Sequence, residues 1–329
     1  MGESSFVFSW TAAAISLALS SIALIYSVFM VPEPLYSSKY TLFIAVPWII
    51  GLVQLSGLSL VFFYLMVVST VFASIIILVL ADGYRGMRIL HSSTTKIRQP
   101  DMWCSNYWAI FPRLLSISLF IPTAFYALVS VFDSSPVIPG ISDYPLWARM
   151  FSLVFASVWE EFIFRIFFIA VPLYVLHKIY GVEKKEYGET GSSVGQVRGS
   201  GCREIIWGYG SMTREAVYLV LFTAFIFAAA HAFGGWDWYK VPPTFFTGAA
   251  LGYVFIKRGL PGAVILHFAI NFFSTPMWIW SSGSWIVVTL FLVLLACGAY
   301  YSLVYTIVLS RRLKKLWKEK NTRRPLAAL

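Results

Sequence analysis

Charge is what this chain has least of. Only 12% of its 329 residues are Asp, Glu, Lys or Arg, about half the share usual in a soluble globular domain. A freely soluble enzyme is excluded, and a mean hydropathy of +0.75 points to lipid as the surrounding solvent. Cysteine is scarce too. Cys104, Cys202 and Cys297 stand far apart, so neither a disulfide framework nor a thiolate zinc site is offered. No H-E-x-x-H occurs, which removes the zincin motif. The alternating segments of about 10 residues that mark a membrane β-barrel are missing, as is the internal repeat of many transporters. The closing Leu326-Ala327-Ala328-Leu329 carries no prenylation cysteine.

What the chain has instead is hydrophobic runs near or above the length that spans a bilayer. They predict spans at 6–31, 41–57, 58–81, 107–132, 146–178, 215–234, 244–256, 261–279 and 284–309. The first run is longer than a signal-peptide core and has no basic residues before it, so it reads as a retained span. Pro47 and Gly51 leave 41–81 open between two short spans and one span with an interfacial piece. The expected fold is therefore all-α, a polytopic transmembrane helix bundle of eight or nine spans with its active site inside the bundle.

The net charge of +10 is not a nucleic-acid signal, because the basic residues gather in loops and in the tail. Arg85, Arg88, Lys96 and Arg98 lie in 82–106, and Lys184, Lys185, Arg198, Arg203 and Arg214 in 179–214. Lys257 and Arg258 mark a tight turn, and eight Lys or Arg follow Ser310. All fall on one side, expected to be cytoplasmic, and the opposite side has Lys240 and little else. With nine spans the N-terminus is outside, and with eight it moves inside. Residues 1–310 read as one integral membrane domain, with a catalytic core at about 146–279 and a mobile, Gly- and Ser-rich cytoplasmic loop at about 179–214. Residues 311–329 read as a basic cytoplasmic tail. The expected location is a cell membrane if the source is prokaryotic, which the absence of a long soluble domain favours, or the endoplasmic reticulum if it is eukaryotic.

Against this background a few polar residues stand out. Glu160, Glu161 and Arg165 place three charges within six residues of an apolar run. Each costs at least about 2.5 kcal/mol at a bilayer centre unless paired or hydrated. Glu161 and Arg165 are i,i+4 neighbours and can pair, whereas Glu160 points about 100° away. His231 lies four residues after Phe227, and His267 and Asn271 project from one helix face. Carboxylate, imidazole and amide on three spans suit activating a water and stabilising an oxyanion. They also suit a proton relay in a transporter or a non-catalytic membrane binding protein, or a metal site with O and N ligands. Gly191-Ser192-Ser193-Val194-Gly195 matches a nucleophile elbow in letters only, since it sits in a polar loop. Gly248 and Gly252 form a G-x-x-x-G that favours close helix packing.

The three polar elements, taken in order, resemble the motifs of the CPBP (ABI) family of intramembrane proteases, which includes the type II CAAX prenyl endopeptidases. That pattern is E-E-x-x-x-R, F-x-x-x-H and H-x-x-x-N on separate transmembrane helices. This sequence supplies Glu160-Glu161 with Arg165, Phe227 with His231, and His267 with Asn271. The resemblance implies an endopeptidase cutting near the C-terminus of a CAAX-type peptide or prenylated protein, in contact with membrane lipid. It implies a cavity opening toward the cytoplasm, where Glu160 and His231 activate water. His267 and Asn271 would form the oxyanion hole, with Glu161 and Arg165 as orienting partners. No cofactor is required by this chemistry; a zinc ion, if used, would fall to Glu160, His231 and His267. Relatives that cut bacteriocin leaders or membrane-anchored regulators are the alternative.

Overall fold

Four serines of the first hydrophobic run, Ser9, Ser16, Ser20 and Ser27, recur at intervals that place them on one helical face. All four are buried in the computed structural model, which describes residues 3–45, 49–83, 106–132, 144–180, 201–234, 236–274 and 285–323. They belong to α1 (Glu3–Met30). Small side chains let neighbouring helices approach closely in lipid, where apolar bulk gives no driving force between helices. Two of the hydroxyls are also tied across the bundle. Ser9 Oγ lies 2.6 Å from the hydroxyl of Tyr301, and Ser27 Oγ lies 2.6 Å from that of Tyr64.

After the short α2 (Pro32–Tyr36) the chain departs from expectation. Residues 41–57 are not a span. Lys39–Ala45 (β1) and Ile49–Ser56 (β2) form an antiparallel hairpin, with Lys39 opposite Ser56 and Ala45 opposite Ile49. Thr41, Ile44, Ile49, Ile50 and Val53 give the run its hydropathy, yet β-branched residues favour a pleated strand over a helix. Gly57, at φ 56°, turns the chain into α3 (Gly57–Leu78), and the Ser56 amide donates to Ser59 Oγ at 3.2 Å. A π-helical turn, Val79–Gly83, ends this segment.

The remaining elements are α4 (Tyr107–Phe132), α5 (Leu146–Glu161), a π-helical stretch (Phe162–Ala170) and α6 (Val171–Tyr180). They are followed by α7 (Gly201–Trp207), α8 (Arg214–Phe233), a 3₁₀ turn (Trp238–Lys240), α9 (Val241–Ser274) and α10 (Trp285–Arg323). The chain is an all-α polytopic bundle carrying one hairpin. Among the described residues seven helices are long and apolar enough to cross a membrane, not eight or nine. The shortfall has two sources: the hairpin at 41–57, and the joining of the expected spans 244–256 and 261–279 into α9. The expected tail is helical as far as Arg323, as the continuation of α10. Much of the loop expected to be mobile (residues 181–200, including the 191–195 match), the segment 84–105 and the last six residues lie outside the described residues.

α9 is helical on both sides of Gly259, whose φ of 68° and ψ of −170° are not. A straight helix would separate Thr244 from Asn271 by about 40 Å. Both line one cavity, so the chain reverses at Gly259 and sends two legs through the centre of the bundle. The glycine is required twice over. Its φ lies in the left-handed region, and a Cβ there would collide with the carbonyl oxygens of Ile205 and Ile206. Central placement shows in burial: 67% of the most apolar window of Trp238–Phe273 is buried, against 22–39% in the other six candidates. The first leg packs on α8 through the expected G-x-x-x-G. A Cβ on Gly248 would meet Ala224 and Phe227 at 3.0–3.4 Å, and one on Gly252 would meet Val220 at 2.9 Å.

The end of the bundle that carries the basic loops is locked. Asp82, 2% exposed, accepts the Tyr107 amide at 2.8 Å and pairs with Arg258 Nε at 3.3 Å. Asn106 Nδ2 donates to the Asp82 carbonyl, and the Tyr107 hydroxyl donates to the Gly262 carbonyl, both at 3.2 Å. These bonds tie α3, α4 and the α9 reversal together.

Candidate active site

The two adjacent glutamates end α5, where the backbone passes into its π-helical stretch. Short π segments inside helices recur at functional sites. Here the change of winding follows directly after Glu160 and Glu161. Glu161 faces inward and is fully committed. Its Oε2 accepts from Arg165 Nε at 2.8 Å, with both side chains fully buried, and its Oε1 accepts from His267 Nδ1 at 2.8 Å. The Arg165 guanidinium also lies 5.6 Å from the centre of the Phe227 ring. Paired and hydrogen-bonded in this way, two charges can remain in a low-dielectric interior.

Glu160 differs. Its side chain is 28% exposed, and Oε2 has no hydrogen-bond partner among the described residues. The nearest ionisable neighbour is His267, whose Nε2 lies 3.8 Å from Oε2. Because Nδ1 of His267 is bound to Glu161, the ring is held with Nε2 toward Glu160.

His231 ends α8. Its Nδ1 lies 2.8 Å from the Phe227 carbonyl, which can only accept, so Nδ1 carries the proton and Nε2 is left for the cavity. Phe227 sits between the histidines, edge-on to His231 at 4.7 Å and to His267 at 6.0 Å. Asn271 Nδ2 donates to Ser157 Oγ at 3.2 Å and lies 3.4 Å from the Leu153 carbonyl, tying the second leg of α9 to α5. Glu160, Phe227, His231, His267 and Asn271 all line a single cavity of about 410 Å³. Glu161 and Arg165 stand behind its wall.

Several residues of the site carried no signal in the sequence. Ser157, behind the lining, supports Asn271, and Lys240, Trp236 and Tyr126 line the cavity. Lys240 read as an isolated loop charge; only the fold brings it over Trp236, at 4.1 Å from the ring centre. Tyr40 of the hairpin packs edge-on against Phe151 and Phe155 of α5 at 5.1 and 5.3 Å. Burial, together with the negative charge of Glu160, pushes its hydroxyl up to about 12. The Tyr40 hydroxyl therefore keeps its proton at neutral pH.

Among the described residues no three His, Cys, Asp or Glu side chains are grouped so as to hold a metal ion. Glu160, His231 and His267 do not form such a set; each histidine has Nδ1 bound to protein, as is usual for metal-ligating histidines too.

The cavity is confined to one half of the bundle. Its lining comes from the last part of α4, the first part of α5, the end of α8, the start of α9 and the end of its second leg. All these termini lie at the end opposite Gly83, Asn106, Tyr180 and the Lys257-Arg258 turn. The other half is filled by Ile169, Ala170, Phe255, Ile256 and Ala263. Among the described residues the cavity lies away from the Lys257-Arg258 turn, whereas the resemblance and the charge pattern together imply an opening on the face of that turn.

Residues 142–273 match a protein family described as type II CAAX prenyl endopeptidase Rce1-like. The matched stretch holds all three motifs and both legs of α9. No curated protein and no solved structure matches the chain. The family match associates this region with proteases, and the seven apolar helices make the chain an integral, multi-pass membrane protein.

Proposed function

We propose that the chain is an intramembrane endopeptidase that hydrolyses a peptide bond near the C-terminus of a CAAX-type substrate, prenylated or not. One observation carries the reading. Of two adjacent glutamates, the buried one is held by Arg165 and His267, while the other, with one oxygen free of hydrogen bonds, lines a cavity shared with two histidines and an amide. That is the arrangement a water-activating base needs, because a carboxylate already held by an arginine is a poor proton acceptor.

In this reading a water sits between Glu160 and His231 Nε2. Glu160 takes a proton as the water oxygen bonds to the scissile carbonyl carbon. The resulting oxyanion is met by Asn271 Nδ2, which turns one N–H away from the Leu153 carbonyl to reach it, and by an N–H at His267 Nε2. The C–N bond then breaks, and the proton on Glu160 passes to the leaving amine. The products are a carboxylic acid and a free amine, which become carboxylate and ammonium when the acid proton passes to the amine, and Glu160 is returned as the carboxylate, so atoms and charge balance. Glu161 and Arg165 fix the His267 ring rather than touch substrate.

Cleavage of prenylated and unprenylated CAAX-type peptides by the purified chain in detergent tests this. The expected result is cleavage by the native chain and its loss in Glu160→Gln and His231→Ala. Full activity in either variant would sink the assignment. Proton-coupled uptake into liposomes that disappears in Glu160→Gln, with no peptide cut, would favour a transporter instead.

The position of the cavity favours a second reading of the substrate within the same class. Lys and Arg gather on the cytoplasmic face of membrane proteins. With the basic loops there and the hairpin removing one crossing, both chain ends are cytoplasmic and the cavity faces away. A peptide presented from that other side, such as a bacteriocin leader or a membrane-anchored regulator, would then be the substrate. Tyr144, 56% exposed at the start of α5, marks the cavity end. In sealed cells an impermeant thiol reagent should label Tyr144→Cys and spare Cys104 and Cys202. The reverse pattern would restore a cytoplasmic CAAX substrate.

A further inference from the structure

The cavity holds two hydrogen-bond donors that the chemistry above does not use. Lys240 reaches in from the 3₁₀ turn between α8 and α9. Its ammonium lies 4.1 Å from the centre of the Trp236 ring and 5.8 Å from that of Tyr126. Aromatic faces attract a cation but leave its N–H groups unsatisfied. No carboxylate pairs with Lys240 among the described residues; the Asp237 carboxylate accepts the Trp238 amide at 2.7 Å to close the turn. The Tyr126 hydroxyl, from α4, is buried with no hydrogen-bond partner among the described residues. A buried hydroxyl without a partner is destabilising, so such a group in a cavity wall points to a ligand that would accept its hydrogen bond. Glu160, at the other end of the same cavity, lies within electrostatic reach of Lys240.

One cavity therefore presents a carboxylate base at one end and two uncommitted donors, one of them cationic, at the other. We propose that Lys240 Nζ and the Tyr126 hydroxyl bind the free α-carboxylate of the peptide substrate, seating its C-terminus so that a bond a few residues upstream lies beside Glu160. The inference rests on the CAAX-type, C-terminal form of the endopeptidase reading and not on the leader or anchored-regulator form, whose cuts are internal, while the binding site stands on the geometry alone. A carboxylate has two oxygens and accepts one bond from each donor. Trp236 holds the lysine stem in place and walls the site with apolar surface. The enzyme is then an endopeptidase that measures from the chain end, and internal peptide segments are excluded for want of an anion to place at Lys240. Prenylation is not needed for this recognition.

The test is binding of one short peptide in two forms, free C-terminal acid and C-terminal amide, to the full-length Glu160→Gln protein in detergent. Glu160→Gln prevents turnover, and the change in tryptophan fluorescence reports occupancy beside Trp236. The acid should bind about 10- to 100-fold more tightly than the amide, the range of a hydrogen bond to a charged group. Adding Lys240→Gln should bring that ratio close to one, and adding Tyr126→Phe should lower it several-fold while the cation remains. Equal binding of acid and amide to Glu160→Gln overturns the proposal, and that comparison needs neither second variant to fold. An acid preference that survives Lys240→Gln also overturns it. Selective acid binding by a protein whose native form cuts neither peptide would remove the endopeptidase reading and leave the carboxylate site standing.

Discussion

The two ends of this bundle use the same residue types to opposite effect. At the basic end Asp82, Asn106, Tyr107 and Arg258 are joined by bonds of 2.8–3.3 Å that tie three chain segments together. At the cavity end Glu160 Oε2 and the Tyr126 hydroxyl have no partner among the described residues, and Lys240 makes only aromatic contacts. Burying polar groups without hydrogen bonds is destabilising, and at the cavity end the groups left so, Glu160 Oε2 and the Tyr126 hydroxyl, belong to residues that line the cavity. The comparison teaches where to look for chemistry in a membrane protein. It is less the presence of intramembrane charge that marks a site than charge left uncommitted beside charge that is fully paired. Glu160 and Glu161 state the contrast within two residues.

The contrast can be broken from either side. The largest effect should come from Glu160→Gln, which lowers kcat about 10²- to 10⁴-fold, the usual contribution of a general base. Its thermal unfolding should match the native chain. A kcat within threefold of native would place the base elsewhere. Next is Arg165→Met, which strands Glu161 in the interior. Losing one partner of a buried pair costs about 3–5 kcal/mol, read as a large fall in melting temperature, with rate lost because His267 loses its fixed neighbour. An unchanged melting temperature would mean the pair is not buried as described. Asn271→Ala should lower kcat about 10²-fold, at the low end for an oxyanion donor, with little change in KM. A rise in KM alone would make Asn271 a binding residue. The smallest effect belongs to the closed end. Asp82→Ala should destabilise by about 1–3 kcal/mol and leave the rate per folded molecule unchanged. A loss of rate without a loss of stability there would erase the distinction between the two ends.

Much of the candidate site was legible because each motif is local. Glu161 with Arg165, Phe227 with His231, and His267 with Asn271 are all separated by four residues, so one turn of helix is enough to relate them. Gly248 and Gly252 were legible for the same reason. What stayed hidden depends on the rest of the chain. The hairpin at 39–56 looked like a span because hydropathy does not record that Tyr40 packs on Phe151 and Phe155. The π-helical stretch 162–170 is apolar at every position but Arg165, so it has no periodicity to show a change of winding. The hydrogen bond from His267 to Glu161 joins residues 106 apart. Lys240 was visible only as the exception on a side with little positive charge; the turn between α8 and α9 is what places it on the cavity that Glu160 also lines.

The pairing of Glu161 with Arg165 has a consequence for how this protein is made. Helices leave the ribosome in order, and α5 must meet lipid long before the second leg of α9 exists. A lone carboxylate at mid-bilayer would resist insertion. Because its counter-charge is one turn away on the same helix, Glu161 enters the membrane already neutralised, and His267 later replaces lipid at a partner that has been waiting in place. Glu160 alone crosses without such an escort. The stretch 157–168 thus enters the membrane with Glu160 as its one charge without a counter-charge a turn away, and in the folded bundle that same carboxylate faces the cavity.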